Sequence, residues 1–186
     1  SAESTTTDRY VVFNYIEQAW TYGSMARTAW IDSGIRDYPI AATYSYNLVE
    51  HENGLDDNVS GAPVAIEASI TSSEFDIGDG HNFGFVWRLV PDVTFTGSTT
   101  ASPQVTFSLN ALKNSGSGYN SPMSVAGEST ATVTRTATVP IEAFTGQVYV
   151  RLRGRQMSLG VSSDQLGIAW QLGAPRIDIR PDGRAG

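Results

Sequence analysis

The chain has 186 residues, 12 of them basic and 19 acidic, for a formal net charge of −7. That length suffices for one large domain or two small ones, with a core that needs no covalent staples. Cysteine is absent, which excludes disulfides, thiolate metal sites and cysteine nucleophiles. The longest uncharged stretches, such as Thr94–Leu112, are polar throughout, so neither a transmembrane helix nor a signal-peptide core is expected and the mature chain reads as soluble.

Residues 9–51 contain YVVFNY, AWTYG, RTAWI, IAATYSY and NLVEH, short strand-like runs with tight links. Four or so antiparallel strands in roughly 40 residues match the size of one propeller blade. One blade cannot close a propeller, which takes about 4 to 8. These strands therefore belong to something larger or pair with another element or subunit. ENGLDDNVSGAP, Glu52 to Pro63, lacks apolar periodicity and reads as a linker.

Alternation is cleaner beyond it. Ile66, Ala68 and Ile70 share one face of a strand, Phe83, Phe85, Trp87 and Leu89 of the next, and Val105, Phe107 and Leu109 of a third. A soft loop is expected from Lys113 to Glu128. Val133, Ala137 and Val139 then oppose Thr132, Thr134, Thr136 and Thr138, a solvated threonine row. IEAF at Ile141–Phe144 suits a short helical turn or, equally, a β corner. Four apolar runs close the chain: Val148, Val150 and Leu152; Met157, Leu159 and Val161; Ile168, Trp170 and Leu172; Ile177 and Ile179. The expected fold is all-β, an antiparallel β-sandwich of jelly-roll type over 61–186 preceded by a propeller-blade-like set of strands over 1–60. Trp87 and Trp170 are its expected core anchors.

Residues 1–132 carry 5 basic and 15 acidic side chains, residues 133–186 carry 7 and 4. All basic residues but Lys113 are arginines, whose planar fork suits interfacial ion pairs. Arg151, Arg153, Arg155, Arg176 and Arg180, with Arg184 beyond them, form a candidate interface; the alternative is a solvated face with intramolecular partners such as Glu67. On a strand Arg151 and Arg153 project together, opposite Leu152. An acidic chain without a lysine-rich surface points to protein partners before nucleic acid.

No residue reads as catalytic, cofactor-binding or metal-ligating. His51 lies between Glu50 and Glu52, and His81 near Asp76 and Asp79, but neither accompanies an activated serine or a third ligand at suitable spacing. The acidic turns Leu55–Asn58 and Asp76–Gly80 lack the spacing of an EF-hand loop and read as β-turn chemistry. Trp20 and Trp30 remain open between core and a sugar-binding platform, and a polysaccharide hydrolase lacks paired carboxylates at a credible site.

Three stretches together carry a family resemblance: VVFNY…W…G…RTAW at Val11–Trp30, EFDIGDG at Glu74–Gly80, and GRQ…W.LG.PR.D.RPDGR at Gly154–Arg184. With NLVEHENGLDD and the segment through Phe95, the chain resembles the C-terminal part of tail nozzle proteins of short-tailed phages, also called stabilisation or hub proteins. The resemblance implies a virion structural protein with a propeller-containing subunit, ring assembly below the portal, a conduit for DNA ejection, and no catalysis or cofactor. Partners would be further copies and other tail or portal proteins. Genome DNA would pass an acidic lumen without sequence-specific binding, and synthesis would occur in the bacterial host cytoplasm. Full-length members are several times longer, and the preceding blades have no counterpart here. The alternative function is a glycan- or receptor-binding β-sandwich on a phage particle or secreted protein.

Overall fold

The computed structural model describes residues 4–78, 81–112 and 133–184. They are all-β, in several antiparallel sheets, with neither a closed barrel nor a propeller among them. None of them lies in a helix, so no helix is long and apolar enough to cross a membrane. The expected loop at Lys113–Glu128 lies outside the described residues. Two compact units emerge, one of residues 1–54 and 58–63, the other of 55–57 and 64–186.

In the first unit, β1 (Arg9–Asn14) and β2 (Ala19–Ser24) form a hairpin, and β3 (Ala29–Ile31), β4 (Ile40–Ala42) and β5 (Leu48–Glu50) a separate three-stranded sheet. The hairpin turn is made by side chains: Asn14 Oδ1 accepts from the amides of Ile16 and Glu17, and Gln18 adopts φ 54°. A second turn closes β4 onto β5, where Thr43 Oγ1 accepts from the Asn47 amide and Tyr46 takes φ 64°. The expected four-stranded blade does not form, because the β1–β2 ladder ends at Asp8 and Met25 and β3 opens a ladder with β4 instead.

The second unit starts within the expected linker. β6 (Asp56–Asp57) pairs with β7 (Val64–Ala65), so this stretch is a small hairpin. After it come β8 (Ala68–Thr71), β9 (Asn82–Val90), β10 (Val93–Thr94), β11 (Gln104–Leu112), β12 (Val133–Glu142), β13 (Val148–Gly154), β14 (Gln156–Ser163), β15 (Gln171–Leu172) and β16 (Arg176–Arg184). One sheet has the order β12-β11-β14-β8, a second β13-β9-β16, and β10 pairs with β15. Both prolines in long strands, Pro140 and Pro181, sit on edge strands, where a missing amide costs no ladder bond.

Register explains the core. In the larger sheet Val161, Phe107 and Val139 lie abreast, as do Leu159, Leu109 and Ala137, while Gly160, Ser108 and Thr138 line the other face. Of the expected threonine row, Thr136 and Thr138 are exposed, while Thr132 lies outside the described residues. Val86, Leu109, Ala111, Val150, Leu152 and Met157 form one buried cluster, and Leu89, Val105, Phe107, Ile141, Val161 and Ile168 another. Each cluster draws on both sheets, so their inner faces share one apolar interior. Burying each such side chain is worth about 1.5–3 kcal/mol before conformational entropy is subtracted.

Three expectations change. Ile141–Phe144 is no helical turn: β12 runs through Glu142, and a turn follows in which the Thr145 amide donates to Glu142 O. Ile70 faces inward beside Val161 yet stays exposed, because β8 is the sheet's edge strand. Ile168 and Trp170 belong to an irregular segment, with only Gln171 and Leu172 in a strand. Ser98 Oγ donates to Ala169 O and accepts from its amide, so a side chain satisfies the backbone there in place of a ladder.

Candidate functional site

The outer face of the β13-β9-β16 sheet brings aromatic and arginine side chains together, and a bulge helps to place them there. On β9, Arg88 and Val86 oppose Asp178 and Ile179, which are adjacent on β16, so Trp87 is an extra residue in that ladder. β13 is irregular at the same level, between Tyr149 and Leu152. A bulge re-aims the chain. Val86 (0% exposed) and Leu89 (2%) both point into the core although they are three residues apart.

The expectation that Phe83, Phe85, Trp87 and Leu89 share a core face therefore fails. Gly84 occupies the inward position next to Val86, where an added Cβ would stand 2.7 Å from Ile179 Cδ1. Phe83 and Phe85 take the opposite parity, and Trp87, expected to anchor the core, is 37% exposed. Trp170 comes nearer its expected role. It is half-buried against the second cluster, and its Nε1 donates to the Oγ of buried Ser163 at 2.8 Å.

On this outer face aromatic rings and guanidinium groups interleave. Trp87 and Tyr149, from neighbouring strands, have ring centroids 6.2 Å apart and planes within 29° of each other. The Arg88 guanidinium lies 4.9 Å from the Trp87 ring centre, Arg153 lies 4.1 Å from that of Phe83, and Arg180 lies 5.2 Å from that of Phe85. Phe85, Trp87, Tyr149, Arg151 and Arg180 line a shallow groove that is open to solvent. Gln147 Nε2 donates to Tyr149 Oη at 3.0 Å and fixes the hydroxyl at its rim.

The five candidate arginines divide. Arg151 and Arg153 project from β13 on the side opposite buried Leu152, as the strand parity predicts. Arg153 is engaged: its Nε donates to Asp182 Oδ2 at 2.7 Å and its Nη2 to the Asp182 carbonyl at 2.9 Å. Arg88, which the sequence did not single out, pairs with Asp178. The intramolecular carboxylates thus come from β16 rather than from Glu67. Arg151 and Arg180 line the groove, and neither forms an ion pair among the described residues. Arg155 sits in the tight β13–β14 turn, its amide donating to Leu112 O, and Arg176 is exposed at the start of β16 opposite Val90.

The other sequence candidates have structural tasks. Arg27 Nε donates to His51 Nε2 at 2.9 Å and the Trp30 ring lies 4.5 Å from the imidazole, so His51 ties the connection before β3 to the end of β5. Trp20 packs on Phe13 with centroids 4.6 Å apart. Asp56 Oδ1 accepts the Gly167 amide at 2.8 Å, across 111 residues of sequence, which gives this carboxylate of the Leu55–Asn58 turn a structural task. In the other, Asp76 accepts from Gln156, while Asp79 and Gly80 lie outside the described residues. Among the described residues no three His, Asp or Glu side chains converge as metal ligands would.

Compared with known proteins, the chain matches no family model and no curated sequence.

Proposed function

We propose that this chain is a structural component of a short-tailed phage tail, of the nozzle or hub type, acting through subunit contacts. One observation carries the reading: the β1–β2 hairpin is apolar on both faces, and among the described residues neither face is covered. Val11 (67% exposed) opposes Tyr22 (87%), and Phe13 opposes Trp20, on one face, while exposed Tyr10 and Val12 lie on the other. A two-stranded hairpin in water is marginal at best, and contiguous apolar surface of this kind marks a contact site. The occupants we assign are further copies of the chain and neighbouring tail or portal proteins.

The resemblance points the same way, because its VVFNY…RTAW stretch runs from β1 through β3, the part of the chain that exposes this surface. Under this reading the two packed sheets of the second unit are a β-sandwich of jelly-roll type that frames the assembly. The protein resides in the virion after synthesis in the bacterial cytoplasm, no reaction is assigned to it, and DNA slides past its acidic surface because few phosphates would be neutralised.

The test is sedimentation velocity of the chain over a wide concentration range, with electron microscopy of the parent gene product. Concentration-dependent association that Tyr22→Ser and Val11→Thr abolish, and a ring with this segment at a subunit seam, are the expected results. A strictly monomeric chain whose parent product forms no ring would end the reading, as would tight DNA retention at low salt for the acidic lumen.

A further inference from the structure

We infer that the groove on the outer face of the β13-β9-β16 sheet binds a carboxylate-bearing sugar. The inference goes beyond the assembly reading and does not depend on it, since every residue involved belongs to the second unit. Tyr149, 67% exposed, supplies the groove's open aromatic surface, to which the C–H face of a pyranose ring is complementary, and Trp87 supports it by stacking beside it with the Arg88 guanidinium over its own ring. Arg151 and Arg180 stand beside them and form no ion pair among the described residues. A guanidinium grips a carboxylate through two parallel hydrogen bonds, a stronger and more directional contact than a neutral hydroxyl accepts.

The neighbouring charges sharpen this division of labour. Arg88 and Arg153 are already matched by Asp178 and Asp182, and each covers an aromatic ring. They brace the platform and leave the positive charge of the groove to Arg151 and Arg180. A neutral sugar would leave those two exposed guanidinium groups to water and, for Arg180, to the Phe85 ring, whereas an acidic one offers them a charge-assisted bidentate contact. Single-stranded nucleic acid also stacks on aromatic rings. It draws its affinity from many phosphate contacts, however, and two unpaired arginines on a chain of net charge −7 provide few.

The experiment titrates the full chain with trigalacturonate and with sialyllactose, each beside its uncharged counterpart, following tryptophan fluorescence and calorimetric heat at low salt. Saturable binding of at least one acidic probe is expected, with its neutral counterpart about tenfold weaker or worse, the difference one charge-assisted bidentate contact makes. Arg151→Ala and Trp87→Ala should each weaken binding by a similar factor. Arg151 is exposed, so its variant keeps the fold; a melting curve establishes the same for Trp87→Ala. Equal affinity for acidic and neutral probes, indifference to Arg151→Ala, tighter binding of a short single-stranded DNA than of either sugar, or no saturation by either acidic probe would each overturn the inference. Tyr22→Ser, which removes association under the assembly reading, should bind the sugar unchanged, so the two readings fail separately.

Discussion

The two units of the chain obey opposite rules about where apolar side chains go. In the second, parity and burial agree along β13, where Val150 and Leu152 point in and Arg151 and Arg153 point out, and two clusters join the sheets through a shared interior. In the first, the apolar residues of β1 and β2 are exposed on both faces, and among its described residues burial reaches only Pro39, Ala41 and Thr43. The same residue types, at similar strand-like spacing, make a self-sufficient core in one place and an uncovered surface in the other. Hydrophobic alternation reports that a face will be covered, and says nothing about which molecule covers it.

The sharpest way to break that contrast is to cut the core of the second unit. Phe107→Ala empties a position 2% exposed between β12 and β14 and should cost about 3–5 kcal/mol in a urea melt. A loss under about 1 kcal/mol would mean that the sheets are not packed as described. A smaller effect is expected at Trp170, where Trp170→Phe keeps most of the packing and removes the Nε1 donor of buried Ser163. About 1 kcal/mol is the usual net worth of such a bond, and an unchanged melting midpoint would place the indole outside the fold's support.

How much of this could be read from residues alone differs between the units for the same reason. The β13 and β14 runs, the inward parity of Ile177 and Ile179 and the threonine face of β12 were legible, since each follows an unbroken two-residue period. The period fails at Trp87, where an extra residue in β9 turns the aromatic parity outward, and composition carries no mark of a bulge. A hint was present all the same: pairing β9 with β13 sets Phe85 opposite Arg153, which cannot share a dry core with it. The candidate site was therefore half legible, with Arg151 and Arg180 on view and with Phe85 and Trp87 assigned to the interior. In the first unit the strand runs were visible, but their division into a hairpin and a separate sheet falls where the β1–β2 ladder ends at Asp8 and Met25, and the two turns rest on Gln18 and Tyr46, non-glycine residues that take positive φ.

The arginine face offers a finer test of whether the second unit is complete in itself. Arg153 and Asp182 are each about half exposed, at 49% and 51% of the side chain, so solvent screens their attraction, and Arg153→Ala should cost less than about 1 kcal/mol, shrinking further in salt. A loss of several kcal/mol would show instead that this face is desolvated, as a seam between subunits would be. The measurement thus separates two roles for the same arginines by magnitude alone.

The smallest effect on stability belongs to Tyr22, and there the contrast between the units becomes most informative. Its ring is 87% exposed and faces Val11 across the hairpin. Tyr22→Ser should leave the melting of dilute chain within about 0.5 kcal/mol of the parent, as substitutions at uncovered positions do. At concentrations where the chain associates, the parent alone should gain stability, because a partner that binds only the folded form adds free energy that rises with its concentration. Melting both proteins over a hundredfold range of concentration distinguishes the cases. A parent curve that climbs while the Tyr22→Ser curve stays flat assigns the hairpin's apolar face to another subunit. Parallel flat curves would mean that the exposed hairpin meets no copy of itself, and would count against the contact between copies proposed for it.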